Sequence, residues 1–242
     1  MQYEQDISKK PGIAALAGAT IVLDLDGTVV DSAPNIVAAV NFSLESEGLD
    51  PIRLREARPL IANGARQLLR YGLEQNGRDP STEPCERLFA RFLSYYEAHP
   101  SDLTKAFPGV CETLECLQKS GAGLVVCTTK TTGLAKLVLS SLDLSSFFAG
   151  VVGADLTSAS KPDAAHVLQA IEAVSGDPTT SVMIGDAEPD ARAARAAGIP
   201  IALVTFGYSH VPVDRLPHDL LIDRFDQVVP ACRKLLSERR KR

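Results

Sequence analysis

Short apolar, largely β-branched runs recur along this chain, and between them the apolar spacing becomes helical. Thr20 to Leu25 reads Thr-Ile-Val-Leu-Asp-Leu, and Gly123 to Cys127, Phe147 to Val152, Thr180 to Ile184 and Pro200 to Val204 are of the same kind. Runs this short and this apolar suit strands buried on both faces. Val110, Leu114 and Leu117 fall at helical spacing before the second run, and Val167, Leu168, Ile171 and Val174 before the fourth. Asp190 to Ala197 is rich in Ala and Arg and is closed by Gly198 and Pro200, a helix stop. Strands alternating with helices predict an α/β fold, a doubly wound parallel sheet with a Rossmann-like core.

The interval from Ala33 to Lys105 breaks the alternation and holds no convincing strand. Ile36, Val37, Val40 and Leu44 mark one amphipathic helix, with Pro34 in its first turn and Gly48 past its end. Leu68, Leu69 and Leu73 mark a short second helix. Leu88, Phe89, Phe92, Leu93 and Tyr96 mark a third, started by Ser81 or Thr82. A purely helical block between two strands of a parallel sheet predicts an inserted cap domain. The expected organisation is an irregular lead over 1–18, an α/β catalytic core over 19–32 and 106–232, a helical cap over 33–105 and a solvated basic tail over 233–242.

Other classes fall away on composition. The chain has 242 residues, 25 basic against 30 acidic, for a net charge of −5, which disfavours a nucleic-acid partner. The longest run free of Asp, Glu, Lys and Arg, Ala196 to Val213, is interrupted by Gly198, Pro200, Gly207 and Pro212, so no membrane span is expected. Glu4 and Asp6 precede a short apolar stretch with Pro11 and Gly12, which argues against a signal peptide. Five scattered cysteines without a CxxC pair read as reduced thiols, and the expected location is the cytoplasm. The sequence sets no oligomeric state.

In open α/β sheets ligands collect outside the carboxyl ends of the strands. The first strand ends Asp24-Leu25-Asp26-Gly27-Thr28 and the second Cys127-Thr128-Thr129-Lys130. The loop after the third holds Ser160-Lys161-Pro162-Asp163, and the fourth ends Gly185-Asp186, with Asp190 following. Asp24 and Asp26, two apart in extended backbone, point to one side, and Asp186 would bring a third carboxylate to the same crevice. Such a cluster needs protons or a cation, and oxygen-only ligation favours a hard ion, Mg²⁺ beside phosphates. Lys161 and Thr128 are donors suited to phosphate oxygens, and Gly27 lets backbone N–H groups approach an anion closely. Metal, phosphate donors and a free carboxylate together point to phosphoryl transfer through an aspartyl nucleophile.

These residues carry a resemblance. Asp24-Leu-Asp-Gly-Thr-Val-Val-Asp-Ser32 resembles the first motif of the haloacid dehalogenase-like hydrolase superfamily, and Thr128, Lys161 and Gly185-Asp186-x-x-x-Asp190 match its second, third and fourth motifs in order. The similarity runs from about Thr20 to Val229, with Phe107-Pro-Gly-Val110 similar to the return from a helical cap. Val126-Cys-Thr-Thr-Lys130, Thr205-Phe-Gly-Tyr208 and Ile61-Ala-Asn-Gly-Ala65 most resemble the phosphoglycolate phosphatase group. The resemblance implies that Asp24 attacks phosphorus and that Asp26 protonates the leaving alkoxide and then activates water. It implies Mg²⁺ held by Asp24, Asp186 and the Asp26 backbone carbonyl, with Asp190 in support. Thr128, the Thr129 amide and Lys161 would hold the phosphoryl group. Two positions depart from the pattern: Thr129 stands where relatives often have Asn, and Ala187 where Ser or Thr is common.

Plainer readings remain beside these. Asp186 and Asp190 suit a helix N-terminus, Lys130 suits solvent, and the four histidines suit structural or surface roles. Asn63 and Arg66 read equally as a helix start or as a cap loop that meets the substrate's distal group. The expected activity is Mg²⁺-dependent hydrolysis of a small phosphorylated metabolite, 2-phosphoglycolate first. A sugar phosphomutase of the β-phosphoglucomutase type is the alternative enzyme, and a phosphate-sensing protein that keeps the fold is the alternative outside enzymes. The stretch from Ala33 to His99 contains no Lys, which removes the Schiff-base residue a phosphonatase needs.

Overall fold

The computed structural model describes residues 16–241. Of the lead expected over 1–18, residues 1–15 lie outside the described residues, while Leu16 is buried. β1 (Thr20–Leu23) is wholly buried and stops two residues short of the expected end, freeing Asp24 to Asp26 for a turn. The chain then leaves the core through β2 (Val30–Asp31).

Four helices follow: α1 (Ala33–Glu45), α2 (Leu54–Ala57), α3 (Ala65–Gln75) and α4 (Thr82–Ala98), with a 3₁₀ turn at Arg58–Asn63. Pro34 sits in the first turn of α1, where its missing N–H is harmless, and Ile36, Val37, Val40 and Leu44 face inward. α1, α3 and α4 pack on one another, so the apolar stripes legible in the sequence are the faces that meet. The chain returns through β3 (Lys105–Ala106), antiparallel to β2. This two-stranded ribbon is the double connection between the helical insertion and the sheet.

The core then alternates as expected. α5 (Val110–Lys119), β4 (Gly123–Thr128), α6 (Thr132–Ser141), β5 (Gly150–Gly153) and α7 (Ala164–Glu172) precede β6 (Ser181–Gly185). α8 (Glu188–Ala196), β7 (Ile201–Val204), β8 (Leu220–Ile222) and α9 (Val228–Arg239) complete it. The sheet runs β5-β4-β1-β6-β7-β8, all parallel. From β1 the chain builds outward through β4 and β5, then crosses back to place β6, β7 and β8 on the other side. β1 is therefore the switch point, and its carboxyl end opens into the crevice where such sheets bind ligands. Successive residues feed opposite faces: Ile21 and Leu23 join one apolar cluster with α1, α5 and α9, and Val22 joins another with α7 and α8.

Two expectations are corrected, and one strand was not foreseen. Phe147 belongs to a 3₁₀ turn and the third core strand starts only at Gly150, because Gly150 is the first residue that pairs with β4. β8, a three-residue edge strand, gave no run long enough to read. The basic tail expected over 233–242 is helix as far as Arg239, because Leu235 and Leu236 are buried against the sheet and hold the charged face outward. No helix among the described residues is long and apolar enough to cross a membrane.

Candidate active site

Three neighbouring strands end at one place. Asp24 follows β1, Thr128 closes β4 and Asp186 follows β6, and β1 lies between the other two. The Asp24 N–H extends the ladder to the Ile184 carbonyl at 3.0 Å, which fixes the carboxylate at the rim. Lys161 reaches in from the loop after β5. Its Nζ donates to Asp24 Oδ1 at 2.6 Å, Asp190 Oδ1 at 2.6 Å and the Cys127 carbonyl at 2.8 Å. All three of its protons are thus engaged, and it is buried.

Asp190, in the first turn of α8, has a second task. Its Oδ2 accepts the Asp186 N–H at 3.2 Å and the Ala187 N–H at 3.1 Å. Ala187 stands at the N-cap position of α8 and has no side-chain oxygen, so the carboxylate from the next turn does the capping. Asp186 accepts from Thr28 Oγ1 at 3.1 Å and from the Tyr208 N–H at 2.7 Å.

Oxygens of Asp24, Asp186 and Asp190 lie within 4.8 Å of one another, all three residues buried. Burial raises the Asp24 carboxyl to about 7, with Lys161 pulling the other way and Asp190 adding to the rise. Burial and the neighbouring Asp190 and Asp24 carboxylates likewise hold Asp186 well above the ordinary range. Burial works against the Lys161 charge, but Asp190 and Asp24 outweigh it and keep the ammonium protonated. Three buried carboxylates around one lysine need protons or a cation to offset their repulsion, and a divalent cation among oxygen donors fits that need.

The carboxylate of Asp26 lies apart from this cluster. It accepts from Ser32 Oγ and from Lys130 Nζ, the latter at 3.0 Å. Lys130 also donates to the Tyr96 hydroxyl of α4 at 2.8 Å. The solvated reading of Lys130 is corrected: its side chain is only 8% exposed. Gly27 is corrected too. Its N–H is taken by the Val30 carbonyl at 2.9 Å and so does not face an anion. Glycine is required there because φ is +94° and a Cβ would sit 2.5 Å from Asp186 Oδ2.

Thr128 is buried, and its Oγ1 accepts the Lys130 N–H at 3.2 Å. Thr129 lines the narrow cleft that also holds Asp24, Asp26, Lys161 and Asp186. This cleft adjoins a cavity of about 570 Å³ between the helical insertion and the rim, lined among others by Asp26, Lys130, Phe92 and Ser160. Asn63 and Arg66 both line that cavity and are exposed. Neither caps a helix: Gly64 is the residue before α3. The Arg66 guanidinium is already committed, donating to Glu86 at 2.6 and 3.0 Å and lying 3.6 Å over the Phe89 ring.

Sequence reading missed one junction. Tyr208 donates to Asp31 Oδ1 at 2.6 Å and accepts the Ala33 N–H at 3.1 Å, while Arg58 donates to Asp31 at 3.2 Å. It ties the loop after β7 to the point where the insertion begins. Tyr208 and Asp31 each stood in a segment that resembled the family, and Arg58 carried no signal.

Residues 21–204 match the family model of the haloacid dehalogenase-like hydrolases, and this chain belongs to that family. It is a phosphoric monoester hydrolase within it. A phosphoglycolate phosphatase of Caulobacter vibrioides is 46% identical over 92% of this chain and 94% of its own length. One from Agrobacterium fabrum is 37% identical over 90% of this chain and 94% of its own. The crystal structure of a predicted phosphoglycolate phosphatase from Haemophilus somnus, 24% identical, superposes with a TM-score of 0.82 over 88% of this chain and 97% of that one, which shows the shared fold.

Proposed function

We propose that this chain hydrolyses 2-phosphoglycolate to glycolate and phosphate with the help of Mg²⁺, through a phosphorylated Asp24. The observation that carries the reading is the placement of the Asp24 carboxylate. It is buried at the carboxyl end of β1, 2.6 Å from the Lys161 ammonium, and faces the cleft that Asp26 and Thr129 also line. The names of the 46% and 37% identical relatives support the substrate.

Asp24 attacks phosphorus in line with the leaving oxygen, forming an acyl phosphate as the ester bond breaks. Asp26, on the cavity side, gives its proton to the departing glycolate oxygen. The same carboxylate then takes a proton from water, whose oxygen attacks the phosphoryl group and restores Asp24. Lys161 offsets charge on Asp24, and Thr128 and the Thr129 amide hold the phosphoryl oxygens in place of Gly27. Asp24, Asp186 and the Asp26 carbonyl would hold Mg²⁺, with Asp190 fixing the β6–α8 loop that carries Asp186. The ion supplies neutralisation of the phosphoryl charge. The block 33–105 serves as a cap that narrows the cavity and limits substrate size. Five free cysteines, three of them buried, support a reducing cytoplasmic setting.

A panel of phosphate monoesters ranked by kcat/KM with Mg²⁺ tests the substrate. The expected result is 2-phosphoglycolate first, with free phosphate as product. Preference for a hexose or nucleoside phosphate, or transfer of the phosphoryl group to a sugar, would refute it.

A further inference from the structure

We propose that Lys130 is the residue that recognises the carboxylate of the substrate's leaving alcohol, and that Tyr96 of α4 holds it in place for this. The proposal rests on the reading above and assigns a specificity residue to it. An anionic leaving group in this cavity needs a cationic donor, and the cations that line it are Arg66, Lys161 and Lys130. Arg66 binds Glu86 with two nitrogens at the exposed mouth. Lys161 has all three protons on Asp24, Asp190 and Cys127. Lys130 has two engaged, on Asp26 and Tyr96, and among the described residues no acceptor takes its third.

The position fits as well. The oxygen that leaves phosphorus must come within hydrogen-bond reach of Asp26. In 2-phosphoglycolate a single methylene separates that oxygen from the carboxylate. The carboxylate therefore falls beside the groups already bonded to Asp26, the Ser32 hydroxyl and the Lys130 ammonium at 3.0 Å, of which only the ammonium is charged. The Tyr96 hydroxyl accepts a second Lys130 proton at 2.8 Å, and Tyr96 is fully buried, which helps to hold the ammonium in position. An aligned, nearly buried ammonium with one proton unengaged favours an anionic partner, because a charge-assisted hydrogen bond is stronger than one to a neutral amide.

The test compares 2-phosphoglycolate with its neutral isostere, 2-phosphoglycolamide, in the parent enzyme, Lys130→Met, Lys130→Arg and Arg66→Ala. The parent should favour the acid on the order of tenfold to a hundredfold in kcat/KM. Lys130→Met should lose most of that preference by losing activity on the acid selectively, Lys130→Arg should keep part of it, and Arg66→Ala should keep all of it. Should Lys130→Met fail to fold, the parent ratio and Lys130→Arg still decide. An equal loss on both esters in Lys130→Met would mean that the lysine acts only by orienting Asp26, and would overturn the proposal. So would a parent that hydrolyses acid and amide alike, or a preference that vanishes in Arg66→Ala. Those results leave the phosphoglycolate reading standing, whereas a parent that hydrolyses neither ester but turns over another monoester refutes that reading and this assignment with it.

Discussion

Asp190 holds together two parts of the site, and its removal has a calculable consequence. One oxygen accepts from the buried Lys161 ammonium at 2.6 Å, and the other accepts two backbone N–H groups of the β6–α8 loop. Hydrogen bonds to a charged group contribute ~1.5–3 kcal/mol each, and a buried N–H left without a partner costs ~1–3 kcal/mol. Asp190→Asn can keep an oxygen toward the two N–H groups but turns an amide donor toward Lys161, so it should lose about 3 kcal/mol. Asp190→Ala loses all three contacts. Relief of repulsion between Asp190 and its neighbours Asp24 and Asp186 works in the other direction. That relief is the smaller effect, because Asp24 and Asp186 can remain protonated, while Lys161 cannot shed its charge so readily. A net loss of about 4 kcal/mol follows for Asp190→Ala, within the range for a broken buried pair. At about 2–4 °C per kcal/mol for a chain of this size, the melting temperature should fall by roughly 6–12 °C for Asn and further for Ala. Thermal unfolding followed by circular dichroism in excess chelator measures this with no divalent cation contributing. A melting temperature for Asp190→Ala within about 2 °C of the parent would refute the reasoning.

Asp186→Ala should raise the Mg²⁺ concentration needed for half-maximal activity steeply, since a buried carboxylate of the cluster disappears; an unchanged titration would place the ion elsewhere. His166 accepts the Lys161 N–H at 3.2 Å and its Nε2 faces the Val152 carbonyl at 3.1 Å, and burial followed by the nearby Lys161 charge lowers its pKa to about 4. The unfolded chain therefore binds a proton that the folded chain refuses, and stability should fall as pH drops from about 6.5 toward 4, by up to ~3 kcal/mol from this residue. Urea unfolding of the parent and His166→Gln across that window should show the shallower slope in the variant, and equal slopes would contradict the burial argument.

The sheet and the acidic rim were legible because each had a local signature. A strand buried on both faces is an uninterrupted apolar run, and β1, β4, β6 and β7 carry one. Asp24 and Asp186 stand directly after such runs, where the topology puts ligands. What escaped depends on partners far away in sequence. Lys130 looks like any surface lysine until Tyr96, from a helix on the insertion, closes over it. Its local signals were its place two residues past the end of β4 and in the segment Val126 to Lys130, and neither pointed to burial. Arg66 gave no sign that Glu86, on another helix, would take its charge. Gly27 was read for its backbone, whereas its lack of a side chain makes room for Asp186. The end of the chain was misread for the opposite reason: a dense run of Arg and Lys outweighed Leu235 and Leu236, whose burial makes it a helix.

The central claim is that Asp24 carries the phosphoryl group between the two half-reactions. Enzyme mixed with 2-phosphoglycolate and Mg²⁺, quenched in acid within a turnover and digested, gives peptides whose masses locate a covalent phosphoryl group. The account predicts a phosphorylated peptide containing Asp24 in the parent, its accumulation when Asp26→Asn slows the second step, and its absence from an inactive Asp24→Asn. A phosphoryl group on another residue, or normal turnover in Asp24→Asn, would contradict it.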